Sequence, residues 1–488
     1  MAAEDLTYPG EFILDKVELI GCGDDRIDLS LTVVQIDIYE DIESPVLQGG
    51  LTFTDNFGFV NTLPLIGQEH LRLKIRSPSV KSGGVFGEEQ IIDRLFYVHN
   101  IVGSISDKPS VALITLEFTS VESIRNNRTV VDKILTGTYS DIAKGILKGP
   151  LKTKKTVFVE PSSGIEKIIA NRITPMDVLN YCKREAVSKE HGQATYKMFE
   201  TLTGFHFRSL QSMYATESAQ QYTLIDNDAR NPDMTVNILA EYARIRDFKK
   251  SKNVNTMSGT LRGQFSSELV VHDIFNKDIL TTTYDYFSQF EPDAINYTIN
   301  TYHKKGAKAM YSKMAYDQEG SILSSATTKK FLASASIKDQ ATGSCACMTT
   351  GRGEYAYQSR NPSRWLQQRN ATNQSLENGY VIDFSALGHT YMRAGQVVTV
   401  DLPRPAADKQ LKKEQVDRFY NGPFLISAIH HKFDVTHKNG PTHMIYLRCV
   451  KDCVEEELEF TEALPTDIDD QFFKEDPIVE DFYLDEVA

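Results

Sequence analysis

Cysteine is scarce in this chain: six in 488 residues (Cys22, Cys182, Cys345, Cys347, Cys449 and Cys453), without the dense spacing of a disulfide framework. A chain of this length buries a core without such staples, so free thiols in a reducing cytosol are the expectation. Long apolar runs are missing as well. None approaches the roughly 18 to 20 residues that cross a bilayer, and no membrane insertion is expected. The opening MAAEDLTYPG has neither a basic nor an apolar segment, so no secretory leader is expected. Excess positive charge is also lacking, although the net charge of −13 is instructive mainly by its location. From Val454 to Ala488 fourteen acids face Lys474 alone, a local charge of −13, and the first 453 residues balance at 52 bases and 52 acids. A neutral body argues against a dedicated nucleic-acid binder.

Catalytic signatures are absent too. No GxxxxGKS/T loop cradles a nucleotide phosphate, and no GxSxG elbow, HExxH helix or paired CxxC occurs. The best metal candidate is His430, His431, His437 and His443, with Cys449 and Cys453 close in sequence. Adjacent strand residues point to opposite faces, which separates His430 from His431, and His437 sits in a KNG turn; the cluster reads as a hairpin with solvent-facing histidines. Asp226-Asn227-Asp228 opens like a calcium loop but lacks the glycine and closing glutamate, and reads as a polar turn. No acid pair stands out for glycosidic hydrolysis. No catalytic residue, cofactor or metal ligand is therefore assigned.

What is present is β pattern. Val34, Ile36 and Ile38 alternate with Gln35, Asp37 and Tyr39, and Leu51 and Phe53 alternate with Thr52 and Thr54 after a polar break at Glu40–Pro45. Gly49–Gly50 permits a bend or bulge at the entry to the second strand. Strands are expected at Phe12–Ile20, Ile27–Tyr39, Gly50–Thr54, His70–Arg76, Leu95–Ile105 and Val111–Val121. About six strands at this spacing suggest a barrel or sandwich. Thr138-Tyr139-Ser140-Asp141 and Thr174-Pro175-Met176-Asp177 then carry capping grammar ahead of apolar stripes at helical spacing, so two helices are expected. Phe205 and Phe207 share one strand face, with His206 and Arg208 on the other. Beyond 255 strands are expected at Met257–Gln264, Leu269–Phe275, Asp278–Tyr286, Tyr380–Phe384, Gln396–Leu402, Gly422–Phe433 and Thr442–Lys451. The expected organisation is a first β unit at 1–124, an α+β domain at 125–250, a second β unit made of 251–289 and 376–453, an insertion at 290–375, and an acidic tail at 454–488. The tail sets Phe460, Phe472, Phe473, Phe482, Tyr483 and Leu484 among its acids, a pattern suited to docking on a neighbour rather than to mere solvation.

Four segments in order carry a family resemblance: YPGEFIL with IYEDIESPVLQGGLTFTD and PLIGQEHLRLKI; ITPMDVLNYCKREA with FETLTGFHFRSLQSMY; GTLRGQFSSELVVHDIFNKDILTTTYDY; and MRAGQVVTVDLP with YNGPFLISAIHHKF. Together they resemble the baseplate central hub subunit of contractile, T-even type phage tails, related to the barrel region of type VI secretion spike proteins. The resemblance implies a mainly β fold with α+β insertions and two tail-tube-type β-barrels per chain, the second split by an insertion. It implies a homotrimer whose six similar barrels join a sixfold tail tube to a threefold central spike, with DNA only in transit through the channel. The implied partners are a central spike protein on a separate chain, the tail tube protein, baseplate wedge or other hub proteins, and a tape measure protein. The implied place is the virion tail baseplate, assembled in the host cytoplasm. The hub of a phage-derived contractile injection or secretion system is an alternative reading, and a cell-wall hydrolase is one from another class.

Overall fold

The computed structural model describes residues 8–21, 23, 25–55, 58, 65–78, 90–108, 111–224, 238–252, 255–274, 277–295, 308–309, 329–334, 365–403, 417, 419–437 and 440–454. Alternation dictates the first unit: β1 (Ile13–Ile20), β2 (Arg26–Asp28), β3 (Val33–Asp41), β4 (Gln48–Asp55), β5 (His70–Ser77), β6 (Gln90–Lys108) and β7 (Val111–Ser120). They pair antiparallel in the order β3-β4-β7-β6-β5-β1-β2. Ile36, Ile38, Leu51, Phe53, Leu71, Leu73, Leu116 and Phe118 fill one face and are all buried. The strand expected across Ile27–Tyr39 is split in two. The Asp28 carboxylate accepts from the Ser30 N–H (2.9 Å) and the Leu29 carbonyl from Thr32 N–H (2.9 Å), closing a turn between β2 and β3.

Gly49 and Gly50 make no bulge. The β3–β4 register runs through Ile38↔Gly49 and Asp37↔Gly50 without a shift, and the irregularity falls at Val33/Gln35. A Cβ at Gly49 would run into the Asp37 carbonyl oxygen and the Phe118 ring, so the glycine serves a close approach. Gly49→Ala is therefore expected to destabilise the chain by about 1–3 kcal/mol, the range for overpacking. The same change at Gly50, where nothing lies near the added methyl, should cost far less. Paired urea melts check the contrast.

The α+β region follows: α1 (Val121–Arg128), β8 (Val131–Gly137), α2 (Tyr139–Lys148), β9 (Thr156–Val159), β10 (Glu166–Ile173), α3 (Pro175–Glu185), β11 (Tyr196–Thr201), β12 (Gly204–Ser209) and α4 (Leu210–Tyr214). Both capping signals work as their chemistry dictates. Thr138 Oγ1 accepts from Asp141 N–H (3.1 Å) and Thr174 Oγ1 from Asp177 N–H (3.3 Å), each threonine also donating to the aspartate (2.7 Å). The apolar stripes of α2 and α3 meet Phe205 and Phe207 of β12 in one core, with Cys182 inside it. Burial pushes the Cys182 thiol up to about 12, so it stays protonated and inert.

The remainder comprises β13 (Ser218–Thr223), α5 (Ile238–Tyr242), β14 (Phe248–Lys252), α6 (Thr256–Leu261), β15 (Ser266–Asp273), β16 (Asp278–Asp285), α7 (Tyr286–Asp293), β17 (Lys308–Ala309), β18 (Lys329–Ser334), α8 (Leu366–Glu377), β19 (Tyr380–Leu387), β20 (Val397–Asp401), β21 (Gly422–Asp434), β22 (Thr442–Lys451) and β23 (Cys453–Val454). Two expectations need correction. Met257–Gln264 is largely helical, because the Asn255 side chain accepts from Ser258 N–H (2.9 Å) and caps α6. Beyond the end of β14, the stretch grouped as 251–289 also does not extend the sheet of β19–β22. There β15 pairs with β16 and, in parallel, with β18, forming a three-stranded sheet of their own.

Sequence of pairing in the second half is β14-β19-β22-β21, with β20 also on β21 and β13 parallel to β20. The fold is thus mainly β with helical insertions. Neither half closes on itself by strand pairing among the described residues, so the two closed barrels implied by the resemblance are seen as open ladders. The first ladder ends at the three-residue β2, which continues through the turn at Leu29–Thr32 into β3 at the ladder's other end. In the second, β13 and β14 do not pair, and an isolated parallel bridge, Thr223↔Arg244, ties the end of β13 to the segment leading into β14. No described helix is long and apolar enough to span a bilayer.

Candidate functional site

The two halves form one thirteen-stranded sheet, and the site of interest is the seam. Strand β21 changes partner along its length. Gly422–Leu425 pair with β20, whereas Ala428–Asp434 pair antiparallel with β3, from Ala428↔Asp41 to Asp434↔Gln35. A register shift between Ile426 and Ala428 marks the changeover, and the Ser427 carbonyl there accepts from Ile42 N–H (3.0 Å).

Glu40 lies at this changeover, 1 % exposed. Alternation along β3 places it on the core side with Ile36 and Ile38, and its oxygens accept from Leu202 N–H (2.7 Å) and Ala394 N–H (2.9 Å). Arg393 Nε is 3.9 Å away. One carboxylate thereby ties the first sheet half, the β11–β12 turn and the loop before β20. Burial pushes its pKa up to about 7, a rise that the Arg393 charge and the two N–H donors only partly oppose. A second buried cluster lies behind it. Lys155 Nζ bridges Glu122 (2.6 Å) and Glu200 (2.5 Å), and Glu200 also accepts from Leu47 N–H (3.1 Å) and the Ser120 hydroxyl. Burial raises Glu200; Glu122, less enclosed, is held below its ordinary value because Lys155 and Thr153 outweigh burial.

On the opposite face the seam carries a groove of about 450 Å³ lined by β14, β19, β22, β21 and β3. Tyr39, His430 and Tyr446 stack across it, one ring per strand, with centroids 4.4 and 5.3 Å apart. The Asp37 carboxylate holds His430 Nε2 at 2.8 Å, and Arg448 pairs with Asp383 (3.0 Å) at the rim. Flat rings held by sheet register, with both tyrosines over two-fifths exposed, offer a contact surface.

The histidines separate as strand geometry requires. His430 and His431 face opposite ways, and His437 is exposed. The expectation of solvent-facing histidines fails for the other two: His431 and His443 are buried, with His431 Nδ1 3.1 Å from His443 Nε2 across β21–β22. Burial holds both far below the ordinary imidazole value, so they are neutral core residues. Cys449 and Cys453 are buried thiols, neither of them in a disulfide. No three potential metal ligands converge among the described residues. Phe460, Phe472, Phe473, Phe482, Tyr483 and Leu484, like Asp226-Asn227-Asp228, lie outside the described residues. Sequence reasoning missed Glu40, Lys155, Glu200 and Arg393. Only Glu40 left a signal, a charged residue at an inward position of an alternating strand.

No family model matches the chain, and no curated protein does. Solved structures similar to it include a tail protein of Neisseria meningitidis (11 % identity, 90 % of this chain and 96 % of that one, TM-score 0.49). The 43 kDa tail protein of a Shewanella oneidensis prophage is another (12 % identity, 90 % and 99 %, TM-score 0.47). A third is an Escherichia coli component of the type VI secretion system (7 % identity, 88 % and 76 %, TM-score 0.38). The likeness is thus to tail and type VI secretion proteins, spread over most of each chain.

Proposed function

We propose that the chain is a non-catalytic structural hub subunit of a contractile phage tail baseplate. Three copies would close a ring of six similar barrel-type units, joining a sixfold tail tube to a threefold central spike and leaving a channel for DNA. The observation that carries this reading is the β3–β21 seam, which lays two antiparallel β units edge to edge inside one polypeptide. A head-to-tail contact of that kind closes into a ring when the rotation allows, and a chain holding two units makes three copies equivalent to six positions. The Thr223↔Arg244 bridge, which ties the end of β13 to the segment leading into β14, is compatible with a barrel-type second unit. The ordered motifs of the hub resemblance point the same way.

A structural role also suits the carboxylates. Glu40 and Glu200, whose raised values would suit a hydrolase acid, are each 1 % exposed and engaged by backbone N–H groups. Neither can meet a polysaccharide. Native mass measurement tests the proposal: a trimer of the 55.0 kDa chain is expected, alone or with the spike protein added. A stable monomer under both conditions would overturn it, and clearing of peptidoglycan by the pure folded chain would favour the hydrolase.

A further inference from the structure

Two connected hollows run from the seam across the α+β region. The first, about 650 Å³, is bordered by Val450 of β22, and the second, about 780 Å³, shares Glu43, Lys197 and Asn373 with it. The second hollow is basic in a body that is otherwise neutral. Lys167, Lys183, Arg184, Lys197 and Arg369 line it, against Glu43 and Asp177. Asp177 is engaged at the α3 cap, and Glu43 is shared by Lys197 and Lys183. Its apolar surface includes Tyr181 and Ile169, the latter 72 % exposed.

We propose that this trough is the docking site of the chain's own acidic tail, residues 455–488, bound in cis. Charge complementarity selects the occupant: fourteen acids with one lysine meet a hollow with a clear cationic excess, and the tail's spaced aromatics match an apolar floor. Reach permits it. Val450 borders the adjoining first hollow, only four residues before Val454, and thirty-four residues follow, extending up to about 110 Å when stretched. Lys183 supports the assignment independently. Burial pulls its ammonium below the ordinary value, and the like charge of Lys197 adds to this while Glu43 offsets it in part, so an added carboxylate would be favourably placed. The inference does not rest on the hub reading, because it concerns one chain and its own tail.

Zero-length carbodiimide cross-linking of the full chain, with isotopically light and heavy copies mixed, tests it. Links from Lys183, Lys197 or Lys167 to acids within 455–486 of the same copy are expected. Their absence while the surface pair Lys330–Glu268 (2.8 Å) links normally would overturn the proposal, and so would links only between copies. A second measurement is chymotryptic cleavage at the tail aromatics. Lys183→Glu with Arg184→Glu should speed it about tenfold at low ionic strength, with the difference lost in 1 M salt. Cleavage as slow as in the parent chain would overturn the proposal. So would an equal acceleration by Lys144→Glu with Lys148→Glu, the same charge change on the exposed face of α2.

Discussion

Replacing Glu40 by alanine is expected to cost about 3–5 kcal/mol of folding stability, the range for breaking a buried ionic contact from one side. The Leu202 and Ala394 N–H groups lose their acceptor, and the enclosed Arg393 guanidinium loses its counter-charge. Glu40→Gln should recover only part of this, since its amide offers one acceptor oxygen where two N–H donors need one each. The urea midpoint measures both, and a loss under 1 kcal/mol for alanine would show that the junction does not hold the seam. The pH dependence has a definite sign. The folded-state value, about 7, lies above the ordinary carboxyl value of 4.5, so the folded chain holds the extra proton between them. Stability from this group is therefore full below about 4.5 and declines as pH rises through 7. Glu40→Gln should lack that decline, and the parent chain should lose more stability than the variant between pH 5 and 8.

Lys155→Met should cost a similar ~3–5 kcal/mol, because it leaves Glu122 and Glu200 facing each other without the cation between them. Methionine keeps the length and apolar stem of lysine, so the loss reports charge rather than a cavity. Without Lys155 both folded-state values move up, and the folded chain then binds more protons than the unfolded one above pH 4.5. The penalty should accordingly grow from pH 5 to pH 8 and shrink when the carboxylates protonate. A pH-independent loss would assign the role of Lys155 to packing. Lys155→Met combined with Glu200→Gln should recover part of the stability at pH 8, since one buried charge is gone.

Much of the local structure was legible because the signals are themselves local. The alternation in β3 and β4 is a property of consecutive side chains, and it placed Ile36, Ile38, Leu51 and Phe53 inside. The caps at Thr138 and Thr174 act over three residues, so four-letter motifs carried them. The failures have local causes too. Asn255 acts as a cap where the surrounding pattern reads as strand, and the Asp28–Ser30 turn breaks a run of otherwise suitable β residues. Gly49 reads as a bend or bulge, yet its reason is Phe118 from a strand almost seventy residues away.

By itself, then, the sequence determined a mainly β chain with capped helical insertions, a neutral body and an acidic aromatic tail. Those follow from spacing and charge along the chain. The tertiary structure alone decided that β21 exchanges β20 for β3, that Glu40 meets Leu202 and Ala394, that Lys155 joins Glu122 to Glu200, and that five scattered cations share one hollow. The physical reason is sequence separation. Glu40 and Ala394 lie 354 residues apart, and only the packing of the whole chain brings such groups within a hydrogen bond of each other.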